Sequence, residues 1–218
     1  MVIFDCNGVL VDGEKIARAV LADAFASVGV PMTPQFLAQK FHGRRADDIF
    51  DAVEAATGRN LPAELISHVA KETIRRFRSE LRPIPHAARA LTWVRGPKAV
   101  ASSSSFDRIR ISLEITGLIG FFSQRLFSAS GVAHGKPAPD LFLRLTGELS
   151  LDPAECIVVE DSAAGVSAAA KAGMTPIGFV GSSDTPGRLA EELGKVGARA
   201  VIADLRALHS TVLDLRGW

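Results

Sequence analysis

Short runs of apolar residues alternate with helix-patterned segments over most of the chain. Six such runs predict β-strands at residues 2–4, 98–101, 125–127, 156–159, 175–180 and 200–202. Segments with apolar positions near helical spacing predict helices at 107–116, 140–149, 164–172, 186–196 and 205–213. Strands that alternate with helices are typical of a parallel sheet covered on both faces. The pattern therefore predicts an α/β fold with a doubly wound parallel sheet.

The stretch from residue 14 to residue 80 differs, because it carries only helical patterning. It predicts four helices: 14–28, one that begins at Thr33-Pro34, 47–56 and 61–81. We therefore expect an all-helical cap domain at 15–81, inserted into a core formed by residues 1–14 and 82–218. The proline-containing segment 83–85 is the expected hinge by which the chain returns to the core.

Composition and charge narrow the functional class. The chain has 218 residues, 47% hydrophobic and 22% charged, as expected for a soluble globular protein. A formal net charge of +1 gives no electrostatic reason to expect nucleic acid or an anionic membrane as a partner. Cys6 and Cys156 lie in apolar stretches, so we expect buried, reduced thiols.

The ends and the aromatic residues give weaker expectations. There is no apolar run of membrane-spanning length and no basic-then-apolar leader before Val2, so we expect a cytoplasmic protein. The first strand begins so near residue 1 that a few residues are expected upstream. We expect Trp93 to pack in the core and Trp218 to pack at the C-terminal end.

The first strand ends at Asp5, and Gly8 follows where the chain must turn sharply. Parallel α/β sheets place their ligand crevice at the C-terminal tips of the strands, so Asp5 is well placed for nucleophilic or metal chemistry. A solvated loop aspartate would give the same local pattern. This segment alone leaves both interpretations open.

Three later segments carry chemistry that complements Asp5. The run 102–105 is four serines before a helix, which can bind a phosphate or simply cap that helix. Lys136 stands in a proline-stiffened loop and can hold an ammonium over an anion, although most loop lysines are merely solvated. Glu160 and Asp161 end a strand as adjacent carboxylates, which repel each other unless a cation offsets them. Carboxylate oxygens beside a bound phosphate would favour Mg²⁺ as that cation. Alternatively, Asp161 only caps the helix that follows it.

Together, the four segments resemble the motifs of the haloacid dehalogenase (HAD) superfamily, in the subgroup with a helical cap after the first motif. The resemblance covers essentially the whole chain and implies a Rossmannoid core that acts on a small phosphorylated metabolite, as a monomer or weak homodimer. It implies that Asp5 attacks phosphorus to form an aspartyl-phosphate, while Ser102, Ser103 and Lys136 hold the phosphoryl group. In many members the equivalent of the Lys136-Pro137 bond is cis.

The resemblance also implies a Mg²⁺ site and shows one departure. Asp5, the backbone carbonyl of Asn7, Asp161 and Glu160 would gather the metal. Phosphatases of the family have Asp at position 7, which protonates the leaving oxygen and then activates the attacking water. Asn7 cannot transfer a proton, and that role is worth ~10²–10⁴ in rate. We expect slow or absent turnover, from either an engineered change, which the intact remainder of the site favours, or natural silencing.

By the same resemblance, a cap loop closes over the site and contacts the substrate beyond its phosphate. The matching stretch is 40–47, where Gly43 lets the loop approach the ligand and His42, Arg44 or Arg45 can meet a hydroxyl or a carboxylate. A solvated or helix-capping role stays open for either arginine. Glu14 is a further candidate to face the ligand. These residues favour a phosphorylated sugar, polyol or sugar acid as substrate, such as 6-phosphogluconate.

Three rival functions share parts of this pattern. A β-phosphoglucomutase has the same core motifs, but its cap histidine and cap-loop arginine align with Ala17 and Ala46, which favours hydrolysis. A metal-independent haloacid dehalogenase also lacks Asp at position 7, but does not keep an acidic pair like 160–161. The third rival is a non-catalytic protein that binds a phosphorylated ligand on a silenced phosphatase scaffold.

Overall fold

The structure, a computed structural model, describes residues 1–217 and contains one six-stranded parallel sheet. Its strands lie in the order β3-β2-β1-β4-β5-β6. They are β1 (Val2–Phe4), β2 (Lys98–Ser102), β3 (Leu126–Ser128), β4 (Ile157–Glu160), β5 (Thr175–Phe179) and β6 (Ala200–Ile202). The chain runs outward from β1 in both directions, which confirms the predicted doubly wound α/β class.

Alternation along the strands builds a separate apolar core on each face of the sheet. Val2 and Phe4 join one buried cluster, whereas Ile3 between them joins the other. Both sides are covered, so the strands are continuous apolar runs in which most residues are inaccessible to solvent. The register pairs Phe4 with Val100 on one side and with Val159 on the other. The side chains that follow these residues therefore meet at one edge of the sheet.

Ten α-helices lie in the described part of the chain. They are α1 (Glu14–Ser27), α2 (Pro34–Phe41), α3 (Ala46–Thr57), α4 (Glu64–Glu80), α5 (Ala87–Trp93), α6 (Phe106–Ile115), α7 (Asp140–Leu149), α8 (Ala163–Lys171), α9 (Pro186–Lys195) and α10 (Leu208–Arg216). Thr33 caps α2 as expected, since its hydroxyl accepts a hydrogen bond from the Phe36 amide at 3.1 Å.

One core helix was not predicted, and two expectations about the core were wrong in detail. The helix α5 was missed, because it is short and lies between prolines and glycines. The final predicted helix is a 3₁₀ turn, Leu205–Ala207, followed by α10. Trp93 is 41% exposed beneath the Arg89 guanidinium, so it is not a core residue. Trp218 lies outside the described residues. Cys6 and Cys156 are free and buried, as expected.

The helices α1 to α4 form a bundle with a hydrophobic cluster of its own, centred on Phe25, Phe50 and Leu37. Two chain crossings join this bundle to the sheet, and they lie side by side. The amide of Asp12 donates to the Arg82 carbonyl at 2.9 Å, beside an antiparallel bridge between Val11 and Pro83. This pairing supports a cap with extent 15–81, which we keep as a proposal.

In residues 1–217, no helix has the length and apolar character needed to cross a bilayer.

Candidate active site

A buried lysine connects the C-terminal ends of three neighbouring strands. The Lys136 side chain is 1% exposed, and its ammonium donates to Asp5 Oδ1 at 2.7 Å, to Glu160 Oε1 and to the Ala101 carbonyl at 3.1 Å. These acceptors belong to β2 and to the ends of β1 and β4, which the register places side by side. The Lys136–Pro137 peptide is cis, as the resemblance led us to expect.

The electrostatics of this cluster follow from its burial. Burial raises the pKa of Asp5 and of Glu160, and the Lys136 ammonium opposes that shift in both. Burial alone would lower the pKa of Lys136, but the two carboxylates outweigh burial and raise it. Lys136 is therefore a fixed positive charge in the neutral pH range, and it favours the ionised form of Asp5.

Asp161 lies against the turn that follows β1. A Cβ atom on Gly8 would stand 1.8 Å from Asp161 Oδ2, and Gly8 has φ +85°. The same oxygen contacts His42 Nε2 at 3.1 Å, so a cap residue reaches the core carboxylates. Burial lowers the pKa of His42, but Asp161 outweighs that effect and raises it to about 9. His42 is therefore protonated at neutral pH.

The serine run follows β2 and faces Asn7. Ser102 is 2% exposed, and its hydroxyl accepts a hydrogen bond from the Ser104 amide at 3.3 Å. Asn7 Nδ2 donates to Ser104 Oγ at 3.0 Å, but Asn7 Oδ1 is buried without a donor in the described part of the chain. A Cβ atom on Gly13 would lie 2.4 Å from that oxygen, so this side-chain position depends on glycine at 13.

A cavity of about 210 Å³ separates the core from the cap. Its lining includes Asp5, Asn7, Asp161 and Ser102 to Ser105 from the core, and Glu14, His42, Gly43, Arg44 and Arg45 from the cap side. Lys136 and Glu160 lie beneath it, within reach of Asp5. The structure thus brings every residue predicted for the site into one region.

The cap loop is held against the core by direct contacts. Ser103 Oγ donates to the Gly43 carbonyl at 2.7 Å, and a Cβ atom on Gly43 would stand 2.3 Å from Ser162 Oγ. Arg45 pairs with Asp48 at 2.5 Å and donates to two core carbonyls, those of residues 129 and 132. The Arg45 guanidinium is thus engaged by protein groups, while Arg44 is exposed.

The charges of the site fit a divalent cation. Three carboxylates, at 5, 160 and 161, face one ammonium and one imidazolium, so a buried negative charge is left over. Both oxygens of Glu160 are occupied, by Lys136 and by Ser162 Oγ at 3.1 Å. In residues 1–217, no three His, Cys, Asp or Glu side chains are arranged to hold a metal by themselves. Asp5 and Asp161 are the donors best placed, which suits Mg²⁺ because it takes few carboxylates and completes its shell with water and phosphate oxygens.

Two arginines in the cavity were missed by the sequence reasoning. Arg18 pairs with Glu14 at 3.3 Å, and Arg108 lies on α6 just after the serine run. No local motif marks either residue. Arg18 stands one helical turn after Glu14, which was the one available signal.

Comparison with known proteins agrees with this geometry. A family model described as a haloacid dehalogenase-like hydrolase matches residues 1–173. A 6-phosphogluconate phosphatase of Escherichia coli (strain K12) is 30% identical over 174 residues, covering 79% of each protein. Hexitol phosphatase B of the same strain is 30% identical over 181 residues, 80% of this chain and 81% of the relative. A conserved haloacid dehalogenase-like protein of unknown function from Agrobacterium tumefaciens str. C58 matches with TM-score 0.81 and 31% identity, over 99% of this chain and 98% of that one.

The chain therefore belongs to the haloacid dehalogenase-like hydrolases, which confirms the resemblance drawn from its motifs. The family model and the phosphatases among the relatives also confirm the predicted enzyme class, a HAD-type phosphoric monoester hydrolase.

Proposed function

We propose that this protein is a Mg²⁺-dependent phosphatase of a small phosphorylated sugar, polyol or sugar acid, acting through an aspartyl-phosphate on Asp5. The observation that carries the proposal is the buried Lys136 ammonium, 2.7 Å from Asp5 at the strand tip beside Ser102. The names of the relatives, a 6-phosphogluconate phosphatase and a hexitol phosphatase, support that substrate range.

In this proposal Asp5 is the nucleophile. Its carboxylate attacks phosphorus, the bond to the substrate oxygen breaks, and water later releases inorganic phosphate from the aspartyl group. The Lys136 ammonium offsets negative charge on the transferring phosphoryl oxygens, and the Ser102 hydroxyl and backbone amides of the serine run bind those oxygens. Because Glu160 and the Ala101 carbonyl fix the ammonium, it needs little reorganisation during the reaction.

Mg²⁺ would be held by Asp5, Asp161 and the backbone carbonyl of Asn7. Glu160, the fourth ligand that the sequence predicts, instead has both carboxylate oxygens engaged by Lys136 and Ser162, so we give it the role of fixing Lys136. When bound, it would offset the charge that develops on the phosphoryl oxygens. The buried excess of negative charge supports this assignment.

Asn7 limits turnover in this proposal. Its side chain lies in the cavity beside the serine run, where an aspartate could meet the leaving oxygen. An amide can donate and accept hydrogen bonds, but it neither gives up nor takes a proton in this pH range. We therefore expect the chain to bind phosphorylated ligands and to release phosphate slowly.

The cap favours hydrolysis over the mutase alternative. Ala17 and Ala46, which replace the two cap residues of a mutase, both line the cavity and bring only methyl groups. Glu14 and the cap-loop residues His42, Gly43 and Arg44 keep their proposed roles toward the substrate. We leave Arg45 out, because protein groups already use its donors.

The test is phosphate release by the Asn7→Asp protein over a panel of sugar, polyol and sugar-acid phosphates, with and without EDTA. We expect Mg²⁺-dependent release that rises ~10²–10⁴-fold over the unmodified chain. Asp5→Asn added to Asn7→Asp is the matched control and should abolish it. Lack of release across the panel would favour the binding-protein alternative. Isomerisation of β-glucose 1-phosphate that requires glucose 1,6-bisphosphate would favour the mutase, and metal-independent dehalogenation would favour the dehalogenase.

A further inference from the structure

The cavity between the core and the cap contains a half-buried cation, Arg108, that the proposed chemistry does not use and that forms no ion pair within residues 1–217. Arg108 stands in the first turn of α6, and its amide donates to Ser105 Oγ at 3.4 Å. Its guanidinium lies 5.0 Å over the ring of Phe77, which belongs to α4 and is inaccessible to solvent. Arg108 Nε is buried and has no acceptor in the described part of the chain.

The other cavity cations are accounted for. Arg18 pairs with Glu14 at 3.3 Å, Arg45 with Asp48 at 2.5 Å, and His42 with Asp161 at 3.1 Å. Arg44 is exposed and can be solvated. A buried guanidinium donor without an acceptor is costly, because it loses water and gains no hydrogen bond in exchange. The burial of Arg108 is strong enough to lower its pKa, although Glu14 and Asp5 act in the opposite direction.

We propose that Arg108 binds a carboxylate at the end of the substrate away from its phosphate, and so makes the site selective for phosphorylated sugar acids over polyol phosphates. This inference rests on the proposed phosphatase function. A guanidinium matches a planar carboxylate with two parallel N–H···O bonds, and Arg108 forms no direct ion pair with any side chain of residues 1–217. Arg108 is thus a specificity residue on the core, in addition to the cap loop.

Arg108 stands close in the chain to the serine run proposed to bind the phosphate. The serine run that receives the phosphate leads directly into α6, so the two anion sites are tied to one rigid element. The cavity of about 210 Å³ has room for a small chain between the two anionic groups.

The experiment is isothermal titration calorimetry on the unmodified protein in a buffer that contains Mg²⁺. The titrants are 6-phosphogluconate and a hexitol 6-phosphate with the same number of carbons. These probes differ at one end, where one has a carboxylate and the other a hydroxymethyl group. We expect 6-phosphogluconate to bind about 10–100-fold more tightly, the range of a hydrogen bond to a charged group. Equal affinities would overturn the proposal, as would tighter binding of a bisphosphate than of 6-phosphogluconate.

Variants of Arg108 test whether this residue causes the preference for 6-phosphogluconate. Arg108→Gln should reduce the preference to about twofold or less while changing the affinity for the hexitol phosphate little, and Arg108→Lys should retain part of it. Arg110→Gln is the matched control, because Arg110 lies on the same helix, is 44% exposed and pairs with Glu114 at 2.7 Å. Equal weakening of both ligands by Arg108→Gln would show a merely structural role and refute the assignment. If Arg108→Gln does not fold, Arg108→Lys and the ligand pair decide the question.

Phosphate release separates this inference from the function on which it rests. An Asn7→Asp protein that hydrolyses both probes without preference would refute the carboxylate site and leave the phosphatase standing. A protein that prefers 6-phosphogluconate in binding but hydrolyses neither probe would refute the phosphatase and leave the carboxylate site standing.

Discussion

Replacing Lys136 by methionine removes the ammonium that lies between Asp5 and Glu160. Methionine is unbranched and keeps most of the buried aliphatic stem, so the change isolates the charge. Both carboxylates then stay buried without the cation that contacts them at present. The Ala101 carbonyl also loses a donor.

The size of the effect follows from that burial. Removing one member of a buried ion pair costs about 3–5 kcal/mol, because the remaining charge is uncompensated. The free energy of unfolding should therefore fall by about that amount near neutral pH. Burial already raises the pKa of Asp5 and Glu160, and loss of Lys136 should raise both further. The folded variant then binds more protons than the unfolded chain, so its stability should rise as the pH falls from 8 toward 5.

The assay is urea-induced unfolding at several pH values in metal-free buffer, followed by circular dichroism. Lys71→Met, at an exposed position in the middle of α4, is the control and should stay within about 0.5 kcal/mol of the parent. A Lys136→Met protein as stable as the parent at neutral pH would refute the electrostatic reasoning. A deficit that does not shrink at low pH would mean that lost packing, and not the buried carboxylates, causes it.

Two further predictions concern the turn after β1 and the cap contact. Gly8→Ala should lower the free energy of unfolding by about 1–2 kcal/mol because alanine is strained in the left-handed backbone conformation of Gly8. The overlap of the added methyl group with Asp161 should lower it by a further ~1–3 kcal/mol. An unchanged midpoint of urea unfolding would contradict this prediction. His42 has its pKa raised to about 9, so in metal-free protein its pairing with Asp161 should contribute ~1–2 kcal/mol that is fully present below pH 6.5 and lost as the pH rises through about 9. In His42→Gln this decline, followed by urea unfolding from pH 6 to 9.5, should disappear; a decline that persists would assign it to another group.

The sheet could be predicted from the sequence because each strand is a short apolar run that burial on both faces requires. Element ends were less predictable, since they depend on contacts distant in sequence. β4, for example, extends through Glu160, a charged residue that local pattern would exclude. Glu160 can lie in this buried strand because Lys136 and the Ser162 hydroxyl donate hydrogen bonds to its carboxylate.

The candidate site shows the same division. Strand-tip residues such as Asp5 and Ser102 were found because topology brings strand tips together whatever the details of packing. The assignment of Arg45 to the substrate could not be checked from sequence, since its partners are carbonyls more than eighty residues away. Arg108 was missed because two structural facts make it significant: its Nε is buried, and that atom has no acceptor in the described residues. The amphipathic pattern of the helix sequence indicates neither fact.

The most direct test of the central claim uses an aryl phosphate, whose leaving group needs no proton from position 7. With p-nitrophenyl phosphate and Mg²⁺, the unmodified protein should release a burst of one nitrophenolate per site and then turn over slowly, with a phosphoryl group on the peptide that contains Asp5. Asn7→Asp should convert the burst into steady turnover, ~10²–10⁴-fold faster, and Asp5→Asn should abolish the burst. A burst that survives in Asp5→Asn, or phosphate attached elsewhere, would contradict the account.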